Sequence, residues 1–326
     1  MIGPEHIITI FGGSGFVGRY IVRELAKTGA RIRVAVRNPN SALHTTVAGT
    51  PGQVVPIFCN IRNYKSVEDA LQGADMAVNC VGILFEKGQQ TFPVIQAQGA
   101  EHVAHAAMRL ELKKLVHLSA IGAAENSESD YARSKGQGEK NVLRYFPTAT
   151  ILRPSIVFGP EDDFFNRFAG MASLSPFLPL IGGGNTKFQP VYVGDVAAAG
   201  KYALEHDEAE QKIYELGGSE VLSFKELLEK MLYHIGKRRI LLPIPFWAAE
   251  IKAKFLQMLP KPPLTVDQVG LLKNDNIVSD IALCLKDMDI TPKTLDAILP
   301  SYLVRFRKSG TYNKGKGYEY KSQDDI

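Results

Sequence analysis

Short apolar runs alternate with amphipathic helical stretches from residue 7 to about residue 160. The apolar runs are rich in β-branched residues and bounded by turn residues, which is typical of strands, and helical periodicity fills the stretches between them. The predicted strands are IITIF (7–11), RIRVAV (31–36), PIFC (56–59), MAVNCVG (76–82), KLVHLSA (114–120), ATILRPSIVF (149–158) and KIYELGG (212–218), and the predicted helices are Phe16–Lys27, Phe92–Leu110 and Tyr131–Tyr145. This alternation predicts an α/β protein with a parallel sheet and helices on both faces.

The regular alternation ends near residue 160. Prolines and glycines between residues 176 and 184 predict a loop excursion, and from Ser223 onward we expect helical segments separated by prolines. The fold class predicted from these features is a doubly wound parallel Rossmann sheet with a smaller, discontinuous C-terminal domain. The predicted boundaries are 1–158 and 187–218 for the Rossmann domain, 159–186 and 219–304 for the smaller domain, and 305–326 for a basic tail.

The segment FGGSGFVG (11–18) follows the first strand and opens the first helix. Its glycines are spaced so that the chain can turn tightly, approach a pyrophosphate closely and pack the helix against the strand. The free N–H groups at the start of the helix then face the phosphates. The segment therefore predicts a dinucleotide site, with candidate contacts at Gly12, Gly15, Phe16, Val17 and Gly18.

The end of the second strand indicates which dinucleotide binds. A site for NAD usually has an acidic residue there to accept a hydrogen bond from the ribose 2′-hydroxyl. This chain instead reads VAVRNPN, with Arg37 at that place and no acid nearby. A guanidinium can bind a 2′-phosphate through two parallel hydrogen bonds, so the sequence favours NADPH (NADP) over NAD(H).

Further cofactor contacts are expected at the ends of the other strands. Asn60 and Ile61 follow the third predicted strand, where the adenine ring should lie, and Val81 and Gly82 end the fourth, on the side of the adenosine ribose. Two more candidate contacts, Pro154 and Ile156, lie in the sixth predicted strand, and the last three, Ser119, Tyr131 and Lys135, are also the candidate catalytic residues.

Tyr131 and Lys135 form the candidate catalytic pair, in the segment YARSK. Residues four apart lie on one face of a helix, so the Lys135 ammonium can reach both the nicotinamide ribose and the Tyr131 hydroxyl. A nearby ammonium lowers the pKa of a tyrosine and prepares it to donate a proton to a carbonyl. Ser119 is the candidate third partner, although the true position could be one or two residues later, where the chain offers no hydroxyl.

Composition narrows the function classes. The formal net charge of +4 over 326 residues does not indicate nucleic-acid binding. The three cysteines are too few and too scattered for a disulfide framework or a zinc site, and no metal site is predicted. No apolar stretch approaches the ~18 residues of a membrane-spanning helix, and we see neither a signal peptide nor a transit peptide. We expect a protein of a reducing compartment.

The motifs FGGSGFVGRYIV, YARSK and LRPSIVFGPED resemble those of the atypical extended short-chain dehydrogenase/reductases. Within that family the chain is most similar to the nucleotide-binding accessory subunits of respiratory complex I, the NADH:ubiquinone oxidoreductase. The more specific stretches are FGPEDDFFNRFA and QPVYVGDVA, and LKDMDITPKTLDAI near the end extends the resemblance over nearly the whole chain.

The resemblance implies a tightly held NADPH without established turnover, in contact with other complex I subunits near the quinone chamber. Two departures from the family pattern weigh against a catalytic cycle: extended members carry their serine slightly further past the strand than Ser119, and Tyr192 replaces a histidine. The implied location is peripheral, on the cytoplasmic face of a bacterial inner membrane, or on the matrix side of a mitochondrial one. The alternative is an NADPH-dependent reductase or a sugar-nucleotide epimerase-like enzyme.

Two further segments are candidates for contacts with partners. Residues 246–259 carry six large apolar side chains with Lys252 and Lys254 between them, which suits a membrane surface, a partner subunit or an ordinary helix packed onto the smaller domain. Residues 305–326 are basic, with interleaved tyrosines and few aliphatic side chains, so they cannot build a core. That tail is either a tether for an acidic subunit or anionic lipid, or a solvated extension.

Overall fold

The computed structural model describes residues 1–257, 259 and 262–308. In chain order the elements begin with β1 (Ile7–Phe11), α1 (Phe16–Ala26), β2 (Arg31–Val36), β3 (Val54–Phe58), α2 (Tyr64–Leu71), β4 (Met76–Asn79), α3 (Gly99–Arg109), β5 (Lys114–Leu118), α4 (Asp130–Tyr145) and β6 (Thr150–Pro154). They continue with β7 (Val157–Phe158), α5 (Phe164–Leu174), β8 (Phe177–Ile181), β9 (Lys187–Phe188), β10 (Val191–Tyr192), α6 (Val193–Glu205), β11 (Ile213–Leu216), β12 (Leu222–Ser223), α7 (Phe224–Ile235), β13 (Ile240–Ile244), α8 (Phe246–Leu256), α9 (Val266–Leu271) and α10 (Leu295–Leu303).

Seven parallel strands form the main sheet, in the order β11-β6-β5-β4-β1-β2-β3. The inner strands are almost wholly buried, because helices cover parallel strands on both faces. One group of helices consists of α1 packed beside α6, and another of α3 packed against α2 and α4. The predicted doubly wound parallel Rossmann sheet is confirmed. Its strand order reverses between β1 and β4, where such sheets bind their ligands.

The chain divides into two compact units. Among the described residues, the first contains 1–155, 193–217 and 278–292, and the second lies within 156–192, 218–277 and 293–308. This division differs from the predicted boundaries at 187–192, which are predicted in the Rossmann domain but belong to the second unit, and at 278–292, which are predicted in the smaller domain but belong to the first unit. The difference at 278–292 follows from hydrogen bonds to the main sheet. That segment attaches to the open edge of β11, where Glu215 N–H donates to Leu283 O at 2.8 Å and the Glu215 carboxylate accepts hydrogen bonds from Ser279.

The second unit contains strands that the sequence pattern did not predict. Strand β8 lies in the predicted loop excursion and pairs in parallel with β13, which lies in the stretch predicted as helical. Each carries a proline, and proline in an apolar run argues against a central strand. In a two-stranded ladder both strands are edges, so Pro179 and Pro243 remove no hydrogen bond from a sheet interior.

The predicted strand 149–158 is also two elements in the structure. Strand β6 ends at Pro154 and belongs to the main sheet, whereas β7 pairs with β10 in the second unit. The predicted helix Phe92–Leu110 begins with a π-helical segment, Pro93–Gln98, before α3. Among the described residues, no helix has both the length and the apolar character needed to cross a bilayer.

Candidate functional site

The glycine loop joins β1 to α1. Gly12 has φ +73°, a left-handed conformation that favours glycine, and an added Cβ would lie 3.2 Å from the Cys80 and Val81 backbone. A Cβ on Gly18 would lie 2.3 Å from Gly12 O, so the first turn of α1 packs directly on the loop backbone. The glycine spacing in the sequence predicts both the tight turn at Gly12 and the close packing of the helix at Gly18.

Gly15 differs from these two glycines because its φ is negative and an added Cβ would have a single close neighbour among the described residues. Its φ of −71° and ψ of 177° suit any residue, and the only neighbour of an added Cβ is Gly12 O at 3.2 Å. Helix α1 begins at the next residue, with no acidic residue in its first turn and no side chain capping its N-terminus. The candidate contacts Phe16 and Val17 supply the first N–H groups of this helix. The loop therefore fits a dinucleotide pyrophosphate.

Two arginines lie on segments next to this loop. Arg37 follows β2, is exposed, and makes no hydrogen bond or ion pair within the described part of the chain. The guanidinium of Arg19, on α1, donates to Gly15 O at 3.2 Å and to Ser14 O at 3.1 Å. Sequence reasoning missed Arg19, because its position inside the helix gave no sign that its side chain folds back onto the loop carbonyls.

The carboxyl ends of β3 and β4 present the other predicted contacts. Asn60 is half-buried, and its side-chain oxygen accepts a hydrogen bond from Arg62 N–H at 3.3 Å. The Ile61 side chain is buried against Gly99 and its carbonyl oxygen lies 2.9 Å from His102 Nδ1, so this residue packs into the first unit. Val81 is half-buried and its neighbour Gly82 is exposed.

Lys135 occupies a buried position between the ends of β4 and β5. Its ammonium donates to Leu118 O at 3.0 Å, and an added Cβ on Gly82 would lie 3.3 Å from Nζ. Burial lowers the pKa of Lys135 to about 8, against the opposing effect of the Glu139 carboxylate. The side chain is therefore mostly charged at neutral pH and available to an anionic or polyhydroxylated ligand.

Tyr131 lies one turn before Lys135 on α4, and its ring packs edge to face on Phe92 with centroids 5.9 Å apart. Ser119, at the end of β5, has a buried hydroxyl with no hydrogen-bond partner in the part of the chain that the structure describes. A buried hydroxyl without a partner is costly, which is consistent with a ligand bound at this edge of the sheet. The four residues after Ser119 provide no second hydroxyl.

A buried ion pair fixes the inner face of α4. The Glu139 carboxylate accepts two hydrogen bonds from Arg153 on β6, Nε at 2.9 Å and a terminal nitrogen at 2.6 Å. Glu139 lies four residues after Lys135, so Tyr131, Lys135 and Glu139 share one helix face. Sequence reasoning missed Glu139, although its spacing from Lys135 on the same helix was visible.

Two further ionisable groups beside Lys135, His117 and Cys80, are neutral. Burial, together with the charge of Lys135, lowers the pKa of His117 to about 3, and its Nδ1 lies 3.2 Å from the Asn79 amide nitrogen. Burial raises the pKa of the Cys80 thiol to about 12, so this cysteine is not a nucleophile at neutral pH. Within the described residues, no group of His, Cys, Asp and Glu could hold a metal ion.

The last two predicted contacts lie where the chain leaves the main sheet. Pro154 ends β6, and its carbonyl oxygen accepts a hydrogen bond from Ile121 N–H at 3.1 Å, close to the end of β5. Ile156 belongs to the second unit, where it packs against that unit's apolar core. The structure thus brings together the glycine loop, Val81, Gly82 and the ends of β5 and α4 in the first unit.

Comparison with known proteins gives a family and several relatives. The model of the NAD dependent epimerase/dehydratase family matches residues 8–217. NADH dehydrogenase (ubiquinone) 1 alpha subcomplex subunit 9, mitochondrial, of Arabidopsis thaliana is 36% identical over 316 residues, which cover 93% of this chain and 79% of that protein.

Two solved structures share the fold. UDP-glucose 4-epimerase from Thermus thermophilus, in complex with NAD, has a TM-score of 0.70 at 20% identity and covers 93% of this chain and 99% of its own. NADPH-dependent quinone oxidoreductase from Escherichia coli, in complex with NADPH, has a TM-score of 0.71 at 21% identity and covers 91% and 99%.

Proposed function

This chain belongs to the NAD dependent epimerase/dehydratase family, and we propose that it is an NADPH-holding accessory subunit of respiratory complex I. The observation that carries the proposal is the extent of the match to the Arabidopsis subunit, which spans 93% of this chain and therefore includes its second unit. If the two proteins shared only a nucleotide-binding domain, their sequences would match only over the first unit. In this role the protein contributes to assembly or stability of the complex.

The bound nucleotide would lie along the carboxyl ends of the main sheet. The glycine loop and the start of α1 would hold the pyrophosphate, and Arg37 would meet the 2′-phosphate of NADPH. Lys135 would bond the nicotinamide ribose hydroxyls, next to the unpartnered Ser119 hydroxyl. NADPH is a hydride donor, but the proposed role uses its binding energy, because a ligand that binds only the folded state stabilises that state.

The proposed location follows from the same relationship. A subunit of complex I lies at a membrane, and we place this protein peripherally, on the cytoplasmic face of a bacterial inner membrane or the matrix side of a mitochondrial one. Its partners are the neighbouring complex I subunits and, through residues 246–259, membrane lipid. The part of the tail that follows residue 308 lies outside the described residues.

One experiment tests both parts of the proposal. Protein purified from its native membrane is denatured, the released nucleotide is identified by mass spectrometry, and the co-purifying proteins are identified in parallel. We expect one NADPH or NADP+ per chain and the subunits of complex I. A chain that carries no nucleotide, or that purifies alone under gentle conditions, contradicts the proposal.

Arg37→Asp is expected to weaken the binding of NADPH far more than that of NADH. The change removes a hydrogen bond to a charged group, worth about 1.5–3 kcal/mol, and adds repulsion of the 2′-phosphate. We expect NADPH affinity to fall by about 100-fold or more, with a change of less than about tenfold for NADH. Calorimetry on protein stripped of nucleotide measures both, and equal losses for the two nucleotides would exclude the assignment of Arg37.

The second candidate function is that of an NADPH-dependent reductase or epimerase-like enzyme. It is favoured by the placement of Tyr131, one turn from a Lys135 that is charged at neutral pH, and by the buried hydroxyl of Ser119. In that case Tyr131 would donate a proton to a substrate carbonyl while Lys135 stabilises the phenolate. Steady turnover of carbonyl substrates by the isolated protein would favour this function over the first.

A further inference from the structure

Helix α8, in the second unit, has apolar side chains on two opposite sides. Ala249 and Ala253 are buried and attach the helix to the core of this unit. Trp247, Ile251 and Phe255, spaced four apart on another face, are 67%, 51% and 72% exposed. A surface helix normally turns a polar face to water, so packing within this unit does not explain the second apolar stripe.

The strand that leads into this helix also exposes apolar side chains. Ile240 and Leu242 alternate along β13 with the less exposed Leu241, and both are at least half exposed. On the paired strand, the exposed Phe177 lies in register with Ile240. Exposed apolar side chains that follow one another on adjacent elements mark an interaction surface more strongly than scattered ones do.

Positive charge is concentrated in the same segment. Residues 237–254 contain five basic residues (Lys237, Arg238, Arg239, Lys252 and Lys254) and one acidic residue, Glu250, so their net charge of +4 equals that of the whole chain. Glu250 forms an ion pair with Lys273 at 2.8 Å. Lys252 and Lys254 are exposed and have no ion-pair partner within the described part of the chain.

From these observations we infer that β13 and α8 form a membrane-docking face that binds the surface of an anionic lipid bilayer. We define this face by Ile240, Leu242, Trp247, Ile251, Lys252, Lys254 and Phe255. The inference deepens the proposed function, on which it rests, by naming the surface through which the protein meets the membrane. Tryptophan and phenylalanine suit the headgroup level of a bilayer, and basic side chains between them meet anionic headgroups.

The chemistry of this face favours lipid over a protein partner. The core of a protein interface is depleted of lysine, whereas here Lys252 lies between Ile251 and Phe255 in sequence and Lys254 precedes Phe255. In the headgroup region the same lysines strengthen binding, because their ammonium groups reach anionic phosphates while their aliphatic stems cover apolar surface.

Trp247 is the only tryptophan in the chain, so its fluorescence emission reports directly on the environment of this face. The full chain is titrated with vesicles of phosphatidylcholine, and with vesicles in which one third of the lipid is phosphatidylglycerol. We expect the emission of Trp247 to shift to shorter wavelength with the anionic vesicles, since an exposed indole enters a less polar environment. Binding should weaken as salt is raised, because salt screens the attraction.

Two variants separate the contributions of apolar and charged groups. Ile251→Ser with Phe255→Ser should weaken vesicle binding by about 100-fold, since two large apolar side chains no longer enter the bilayer surface. Lys252→Gln with Lys254→Gln should weaken binding to the anionic vesicles by about 30-fold and leave binding to phosphatidylcholine unchanged. All four side chains are exposed, so we expect these proteins to fold normally.

The matched control replaces two exposed apolar residues on a different segment, Leu43→Ser with Val47→Ser, and should bind vesicles like the wild type. Absence of an emission shift in the wild type, or equal loss in the control, overturns the inference. Bound nucleotide and vesicle binding are measured independently. If the protein holds NADPH but does not bind vesicles, only the membrane-docking face is refuted. If it binds vesicles but holds no nucleotide, only the proposed cofactor is refuted.

Discussion

Gly15→Val is expected to produce a folded protein that retains no nucleotide. The backbone at Gly15 lies in an extended conformation that valine adopts readily, and among the described residues the new Cβ would have one close neighbour, Gly12 O at 3.2 Å, with free space on its other sides. That space is where the proposed pyrophosphate would approach the backbone most closely. The measurement is the amount of nucleotide released on denaturation, with circular dichroism as the check on folding, and a full complement of nucleotide in the variant would contradict the proposed binding mode.

Two other glycine variants provide the controls. Gly18→Ala should destabilise the first unit, because its Cβ would lie 2.3 Å from Gly12 O and 2.8 Å from Gly13 Cα. Gly170→Ala, on α5, meets no atom within 4 Å and should change neither stability nor nucleotide content appreciably. If Gly15→Val unfolds as Gly18→Ala does, its loss of nucleotide says nothing specific about the ligand, and the smaller Gly15→Ala then becomes the test.

Lys135→Ala is expected to lower nucleotide affinity, whereas Tyr131→Phe should leave nucleotide content and complex assembly largely unchanged. An ammonium bonded to ribose hydroxyls stabilises the bound ground state, so its loss should cost about 10- to 100-fold in affinity. A tyrosine hydroxyl that acts as an acid contributes only in a transition state, so removing it matters only if there is turnover. Both variants are compared for bound nucleotide in vitro and for complex I assembly in cells.

Lys135→Met separates the loss of charge from the loss of packing at this buried position, because methionine keeps most of the lysine stem. It should weaken nucleotide binding as Lys135→Ala does while preserving more of the stability. If Tyr131→Phe retains its nucleotide but eliminates a reductase activity measurable in the wild type, the protein is an enzyme and the structural role is wrong.

Nucleotide affinity should also fall as pH rises above about 8, because the pKa of Lys135 in the free protein is about 8. Below that value the side chain carries its charge and donates charge-assisted hydrogen bonds, and above it these bonds weaken. A titration of affinity against pH should show this decline in the wild type and a flatter profile in Lys135→Met. Identical profiles would indicate that Lys135 does not contact the ligand.

Regular periodicity made the main sheet predictable. Buried parallel strands are continuous apolar runs separated by helices, and the glycine spacing between β1 and α1 reflects local steric limits that act within a few residues. Such local signals were enough to predict the parallel sheet, the loop and the helix that carries Tyr131 and Lys135.

The features that sequence reasoning missed depend on contacts between distant residues. Pairing of β8 with β13 joins segments about sixty residues apart, and prolines in both strands hide their strand character. In the site, the contact of Arg19 with the glycine loop and the pairing of Glu139 with Arg153 depend on how side chains fold back in three dimensions. The unpartnered hydroxyl of Ser119 could be recognised only once its surroundings were known.

The way the chain passes between the two units also bears on how it folds during synthesis. Strand β6 is complete at residue 154, but its neighbour β11 begins only at residue 213, and the segment that attaches to β11 lies at 278–292. A nascent chain on the ribosome therefore carries an open sheet edge while most of the second unit is being translated. Unpaired strand edges promote aggregation, so early termination before residue 292 should yield products that depend on chaperones or are degraded.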